Sequence, residues 1–174
     1  SVPGPATQGG MRLFGEQLAV VASPWLLKGK PELRTPADVA QFTLIEASDA
    51  HRSAHLEWLS WRRWLDIHGV DKLQPERWLY FNYAHQIAQA ALSGQGLALS
   101  RMPLIADALA AGDLLEVLPQ HRIDTPLAYW LMVGPRSAQR PEVKAFCTWL
   151  AAQAEITRAA IGDGPDPDTQ DHHD

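Results

Sequence analysis

The 174-residue sequence has a single cysteine, Cys147, so one chain cannot build a disulfide framework or a cysteine-rich zinc site. Cys147 sits in Ala145-Phe146-Cys147-Thr148-Trp149-Leu150, a stretch of helical spacing, where it is expected as a small buried hydrophobe rather than a reactive thiol. Long apolar runs are missing as well: none approaches the roughly 18 residues that a membrane span needs. The opening Ser1-Val2-Pro3-Gly4-Pro5 lacks the basic-then-apolar pattern of a signal peptide, which makes a cytoplasmic protein the expectation. Positive charge is not in excess. The formal net charge is -5, and residues 162–174 hold five of the twenty acidic residues without a lysine or arginine. The body is left with fifteen acidic against fifteen basic residues and shows no clustered basic face of the kind that contacts nucleic acid.

Catalytic signatures are scarce too. No His-Glu-x-x-His or Gly-x-Ser-x-Gly occurs. Gly94-Gln95-Gly96 is not a dinucleotide fingerprint, because a third glycine is missing and the stretch follows a helical pattern where the fingerprint follows a strand. Ser48-Asp49-Ala50-His51-Arg52-Ser53-Ala54-His55 gathers residue types used in hydrolysis and metal binding. Its spacing fits neither, and an exposed loop with a helix cap is the simpler reading, ahead of a ligand-contacting loop. His172-His173 could hold an adventitious metal, but a disordered acidic tail explains them more simply. The expectation is no enzyme, no catalytic or metal-ligating residue and no cofactor.

What is present is an ordinary globular balance, 46% hydrophobic and 20% charged, enough for one core or two small lobes. Residues 1–10 are uncharged and rich in Gly and Pro, which predicts a disordered lead-in. Leu18–Ala22 is a short apolar run with strand character, ended by Ser23-Pro24. Thr35-Pro36-Ala37-Asp38 carries helix-start signals, predicting a helix over Pro36–Gln41 and a strand at Thr43–Ile45. The clearest helix pattern runs from His55 to His68. Leu56, Leu59, Arg63 and Ile67 share one side, and Trp58, Trp61, Trp64, Leu65 and His68 broaden the stripe before Gly69. Tryptophans three apart at helical spacing are read as core, with an aromatic ligand platform as the alternative. Further strands are expected at Arg77–Phe81, Leu97–Leu99, Leu114–Val117 and Ala128–Val133, and helices at Tyr83–Ser93, Pro103–Ala111 and from Arg140-Pro141 onward. Strands alternating with helices indicate an α/β protein with largely parallel sheets.

Several segments, in this order, resemble the effector-binding domain of LysR-type transcriptional regulators. Glu16–Pro24 is similar to the family's strand leading into a Ser-Pro turn. Leu33–Leu44 with Thr35-Pro36-Ala37-Asp38-Val39 resembles its "L-x-x-P-x-D-L" stretch. Gln89–Leu99 resembles its alanine-rich helix, glycine pair and strand, and Leu109–Leu114 its "L-x-x-G-x-L". Tyr129-Trp130-Leu131 and Arg140–Leu150 are similar to the closing strand and helix, while Phe81-Asn82-Tyr83 and the tryptophan-rich helix resemble the subgroup of the glycine-cleavage and β-lactamase activators. The likeness spans roughly residues 11–156.

The resemblance implies a two-lobed, periplasmic-binding-protein-like (type 2) α/β effector domain whose first lobe is incomplete in this chain. Residues 24–122 would form the second subdomain, with Leu44, Trp61, Leu65, Leu92, Leu97 and Leu99 in its core. Residues 11–23 and 123–156 would be a remnant of the first, and 157–174 a disordered acidic tail; neither the lead-in nor residues 162–174 would touch the core. Ligands of α/β folds collect at the carboxyl ends of strands. That logic places Ser48, Asp49, Asn82, Tyr83, Ser100 and Arg101 around a small-molecule effector held between the subdomains, with Tyr129 or Trp130 on one wall. Hydroxyls, an amide and an arginine suit an anionic or peptide-like effector. The partners implied are that effector and a homo-oligomer, with DNA contacted only through an N-terminal helix-turn-helix absent from this sequence and no membrane. Apolar faces at Val20, Tyr129, Leu131, Val143, Phe146, Trp149 and Leu150 would need a second copy, or an exchanged segment, as cover. The alternative is a solute-binding protein of a transport system with the same fold, which an upstream signal peptide or lipobox would favour.

Overall fold

The computed structural model describes residues 9–48, 50 and 57–163. The expectations for residues 1–8, Asp49, 51–56 and 164–174 lie outside these. Two compact units divide the chain: Ser1–Glu16 with Thr125–Asp174, and Gln17–Asp124. The expected boundaries were 24 and 122.

In the larger unit three parallel strands carry the architecture. β2 (Thr43–Ala47) lies between β3 (Arg77–Phe81) and β4 (Leu97–Arg101), with Leu44 opposite both Trp78 and Leu97. β1 (Met11–Ala22) runs antiparallel to β4 and to β5 (Leu115–Val117), giving the order β3-β2-β4-β1-β5, and β6 (Ile123–Leu131) also pairs with β1. The sheet is therefore mixed rather than largely parallel. An apolar run reports burial on both faces but carries no information on strand direction.

The helices begin where the sequence supplies caps. The Ser23 hydroxyl accepts the Trp25 N–H at 3.1 Å and starts α1 (Pro24–Leu27), a single turn where the sequence suggested only a stop. Pro36–Gln41 forms a 3-10 helix, a common form for so short a segment. Asp38 accepts the N–H groups of Thr35 and Arg34, both at 2.8 Å, and these bonds, Thr35 first, hold its carboxyl below the usual range. Ser60 caps α2 (Trp61–Ile67) by accepting the Arg63 N–H at 3.1 Å. α3 (Ala84–Leu92) and α4 (Met102–Ala111) end on Gly94 and Gly112, both with positive φ.

The core of this unit gathers Leu18, Val20, Val39, Phe42, Leu44, Trp61, Trp64, Leu65, Leu97 and Leu99. Trp61 and Trp64 are wholly buried, pack edge to face at 5.3 Å, and are core rather than platform. Their indole N–H groups donate to the carbonyls of Ile45 and His121, each at 2.9 Å. Three expectations change. Leu92 is only half-buried, Val20 is buried in this unit and needs no further cover, and Ile67 is 53% exposed. α2 buries Trp61, Trp64 and Leu65, which share one side, and six residues beyond Trp61 the helix has turned Ile67 outward.

The glycine pair serves packing. Gly94 at φ 75° lets the N–H groups of Gly94 and Gln95 return to the carbonyls of Ala91 and Ala90, both at 3.0 Å. Gly96 lets β4 approach β2: a Cβ there would sit 2.5 Å from the Thr43 carbonyl oxygen, a backbone atom that cannot swing away. Gly96→Ala is expected to destabilise the protein by about 1–3 kcal/mol, read from urea unfolding. An unchanged midpoint would show that the two strands have room to part.

In the smaller unit α5 (Pro141–Ile161) runs five residues past Ile156, into the segment expected as tail, and Gly162 at φ 74° ends it. Asp163 accepts the Gly15 N–H at 2.7 Å and pairs with Arg12 at 3.3 Å, so this first acidic residue of the tail is an anchor. Cys147 is half-buried. Phe146, Trp149 and Ile156 are 54%, 57% and 63% exposed. Among the described residues no helix is long and apolar enough to cross a membrane.

Candidate functional site

The three parallel strands β2, β3 and β4 end side by side, and each is followed by a turn that opens the next helix or loop. A pocket of about 180 Å³ lies at these ends. Its lining is mostly apolar, with Ile45 and Leu99 from the strands and Leu59, Ile87, Leu104 and Ile105 from the helical segments. Among the described residues, the polar groups on it are Glu46, Asn82, Ser100 and Arg101.

Each polar group is placed by local structure. Glu46 is the fourth residue of β2 and 2% exposed, and its Oε1 accepts the Trp61 N–H at 2.7 Å. Its charge also acts on Tyr80, directly across the β2–β3 pairing. Partial burial, and then the Glu46 charge, push the Tyr80 phenol up. Asn82 follows β3, and its Oδ1 accepts the Ser48 hydroxyl at 2.8 Å. The Ser48 N–H donates to the Phe81 carbonyl at 2.8 Å, so the ends of β2 and β3 are tied together twice. Ser100 and Arg101 close β4, and Arg101 is the N-cap of α4.

The structure brings Asn82, Ser100 and Arg101 to one pocket and sets Ser48 behind Asn82 as a support for its amide. Tyr83 is the N-cap of α3, is 62% exposed, stacks on His85 at 5.7 Å and does not line the pocket. Asp49 is outside the described residues. Tyr129 and Trp130 belong to the smaller unit, half-buried on β6, where Tyr129 packs on Phe14 at 4.7 Å. Sequence reasoning missed Glu46. The signal was there in Thr43-Leu44-Ile45-Glu46-Ala47, a carboxylate inside a strand with a buried centre, which is costly unless it is used. Among the described residues no group of three or more His, Cys, Asp or Glu could hold a metal.

The LysR substrate binding domain family matches residues 5–155. The chain belongs to this family. It is 30% identical over 147 residues to the glycine cleavage system transcriptional activator of Escherichia coli K12, covering 82% of this chain and 44% of that protein. It is 26% identical over 151 residues to the HTH-type transcriptional regulator TrpI of Pseudomonas aeruginosa, covering 87% and 48%. The chain thus spans less than half the length of these curated relatives. Among solved structures, the effector domain of the transcriptional regulator AmpR of Pseudomonas aeruginosa matches with TM-score 0.59 and 25% identity, over 86% of this chain and 67% of that one. The regulatory domain of CrgA, a LysR-type regulator from Neisseria meningitidis, has the same fold, with TM-score 0.56 at 17% identity over 83% and 68%. The fold is that of LysR effector-binding domains, periplasmic-binding-protein-like of type 2.

Proposed function

We propose that the chain is the effector-sensing part of a LysR-type transcriptional regulator and that the pocket at the ends of β2, β3 and β4 binds the effector. The observation that supports this most is the convergence of Asn82, after β3, with Ser100 and Arg101, at the end of β4, on one pocket of a regulator-family domain. An apolar cleft with a few directed polar groups is the usual form of a small-molecule site. In this reading the pocket recognises its ligand and does not transform it. The effector acts by differential affinity for two states of the regulator, and a helix-turn-helix elsewhere in the whole protein contacts DNA. The regulator is a homo-oligomer in this reading, and the exposed Phe146, Trp149 and Ile156 on α5 offer an apolar stripe for association. The solute-binding alternative draws no support from the relatives named, which are transcriptional regulators.

Arg101 is the test. Arg101→Ala is expected to weaken a carboxylate effector by about 1.5–3 kcal/mol through loss of a charge-assisted hydrogen bond. Calorimetric titration measures it, and an unchanged affinity removes Arg101 from the site.

A further inference from the structure

Histidine is the side chain whose charge changes between about pH 5 and 8, and the larger unit sets two of them against each other. His68 ends α2, and His121 closes a 3-10 turn, Pro119–His121, between β5 and β6. Their ring centroids lie 5.0 Å apart. The His68 ring also stacks on Trp64 at 4.5 Å, and its Nδ1 donates to the Trp64 carbonyl at 2.8 Å, since a carbonyl can only accept. The Trp64 indole N–H donates in turn to the His121 carbonyl at 2.9 Å. Trp64, His68 and His121 together fasten the turn to α2.

This arrangement suits neutral imidazoles and no others. The charged groups of the neighbouring elements are engaged away from the two rings. Arg63 of α2 donates to the carbonyls of Trp58 and Asp124, and the Asp124 carboxylate of β6 accepts from Gln17. Arg122, next to His121, donates twice to Glu116 of β5, at 2.6 and 2.7 Å, and Asp66 of α2 is exposed. His121 Nδ1 is buried with no hydrogen-bond partner among the described residues, so a proton added there meets neither water nor an acceptor. Burial, and then the nearby His68, hold the His121 imidazole below its usual value. The turn is strained besides. Leu118, which caps it, has φ 53° and ψ 54°, a left-handed conformation costly for leucine, and is held there by core packing at 4% exposed.

We propose that His68 and His121 form a pH-sensitive clasp where the chain leaves the larger unit, closed while the two imidazoles are neutral and opened when His121 takes up a proton beside His68. Opening frees the strained segment Leu118–Ile123 from α2, just before the unit ends at Asp124. The direction follows from linkage. A histidine that resists protonation in the folded state contributes its full stability above the unfolded value of about 6.5, and that contribution is lost as the pH falls below it.

Hydrogen exchange of the 174-residue chain, corrected for the intrinsic rate at each pH, tests this. Between about pH 7.5 and about pH 5.5, protection of Leu118–Ile123 is expected to fall severalfold, while that of Leu97–Arg101 in β4, the internal control, holds. His121→Gln removes the titrating ring and should make Leu118–Ile123 insensitive to pH over this range. His68→Gln keeps a donor for the Trp64 carbonyl and removes the neighbouring charge, so it should retain more protection at the acid end than the unaltered chain. It serves as the test in its own right if His121→Gln does not fold.

Protection of Leu118–Ile123 that is unchanged across this range in the unaltered chain overturns the clasp. An acid loss of equal size in His121→Gln overturns it too, as does one of equal size in His68→Gln. A loss shared equally by β4 also overturns it, because the whole unit and not the turn would then be responding to acid.

Discussion

Trp61→Ala is expected to cost about 3–5 kcal/mol of stability, the range of the largest single truncations in protein cores. Trp61 is wholly buried at the start of α2, where three separate interactions converge on it. Its ring meets the edge of Trp64 at 5.3 Å, its indole N–H donates to the Ile45 carbonyl at 2.9 Å, and its backbone N–H donates to Glu46 at 2.7 Å. Truncation opens a cavity of indole size and leaves a β2 carbonyl without its donor. Trp61→Phe separates these contributions. It retains most of the ring volume and removes only the donor, so about 1–3 kcal/mol is expected. Urea unfolding measures both. A cost under about 1.5 kcal/mol for Trp61→Ala would mean that α2 collapses into the space and that the Trp61–Trp64 pair is not the centre of this core.

Trp61 also shows where the sequence is readable and where it is not. Tryptophans three apart at helical spacing imply a buried face, and Trp61 and Trp64 form it. That the backbone of the same residue holds Glu46 cannot be read locally, because the two are fifteen positions apart. A glutamate after Thr43-Leu44-Ile45 looks like the end of a strand, and the expected strand stopped at Ile45. Strand-end reasoning grouped Asn82, Ser100 and Arg101, which line one pocket, because it needs only the order of the elements. It could not choose between neighbours such as Asn82 and Tyr83, since side-chain direction depends on the backbone at the turn. β6 begins at Ile123, five residues before the expected strand, because Asp124 and Pro126 look like loop signals. A proline is tolerated where a strand has an unpaired side. α5 outlasts its apolar spacing because Ala159 and Ala160 are strong helix formers, and only Gly162 stops it.

Arg158→Ala should produce the second large loss, about 2–4 kcal/mol, and it should act on the smaller unit. The guanidinium lies in the last turn of α5, where a positive charge is favoured by the helix dipole. Its Nε donates to the Leu13 carbonyl at 2.5 Å and its Nη2 to the Arg12 carbonyl at 2.9 Å. One side chain therefore ties the end of α5 to the start of β1. The Arg158 side chain is only 15% exposed, so these charge-assisted bonds are shielded from competing water. Its third contact, an ion pair with Glu155 at 2.9 Å, is a different case because the Glu155 side chain is 71% exposed. Glu155→Ala should accordingly cost no more than about 0.5 kcal/mol. Arg158→Lys should fall between the two, because a single ammonium on a flexible stem cannot span both carbonyls as the planar fork does. Hydrogen exchange along Pro141–Ile161 gives the local readout: protection should fall in Arg158→Ala and hold in Glu155→Ala. Equal losses in the two variants would mean that screened charge, not the pair of backbone carbonyls, is what holds this helix end.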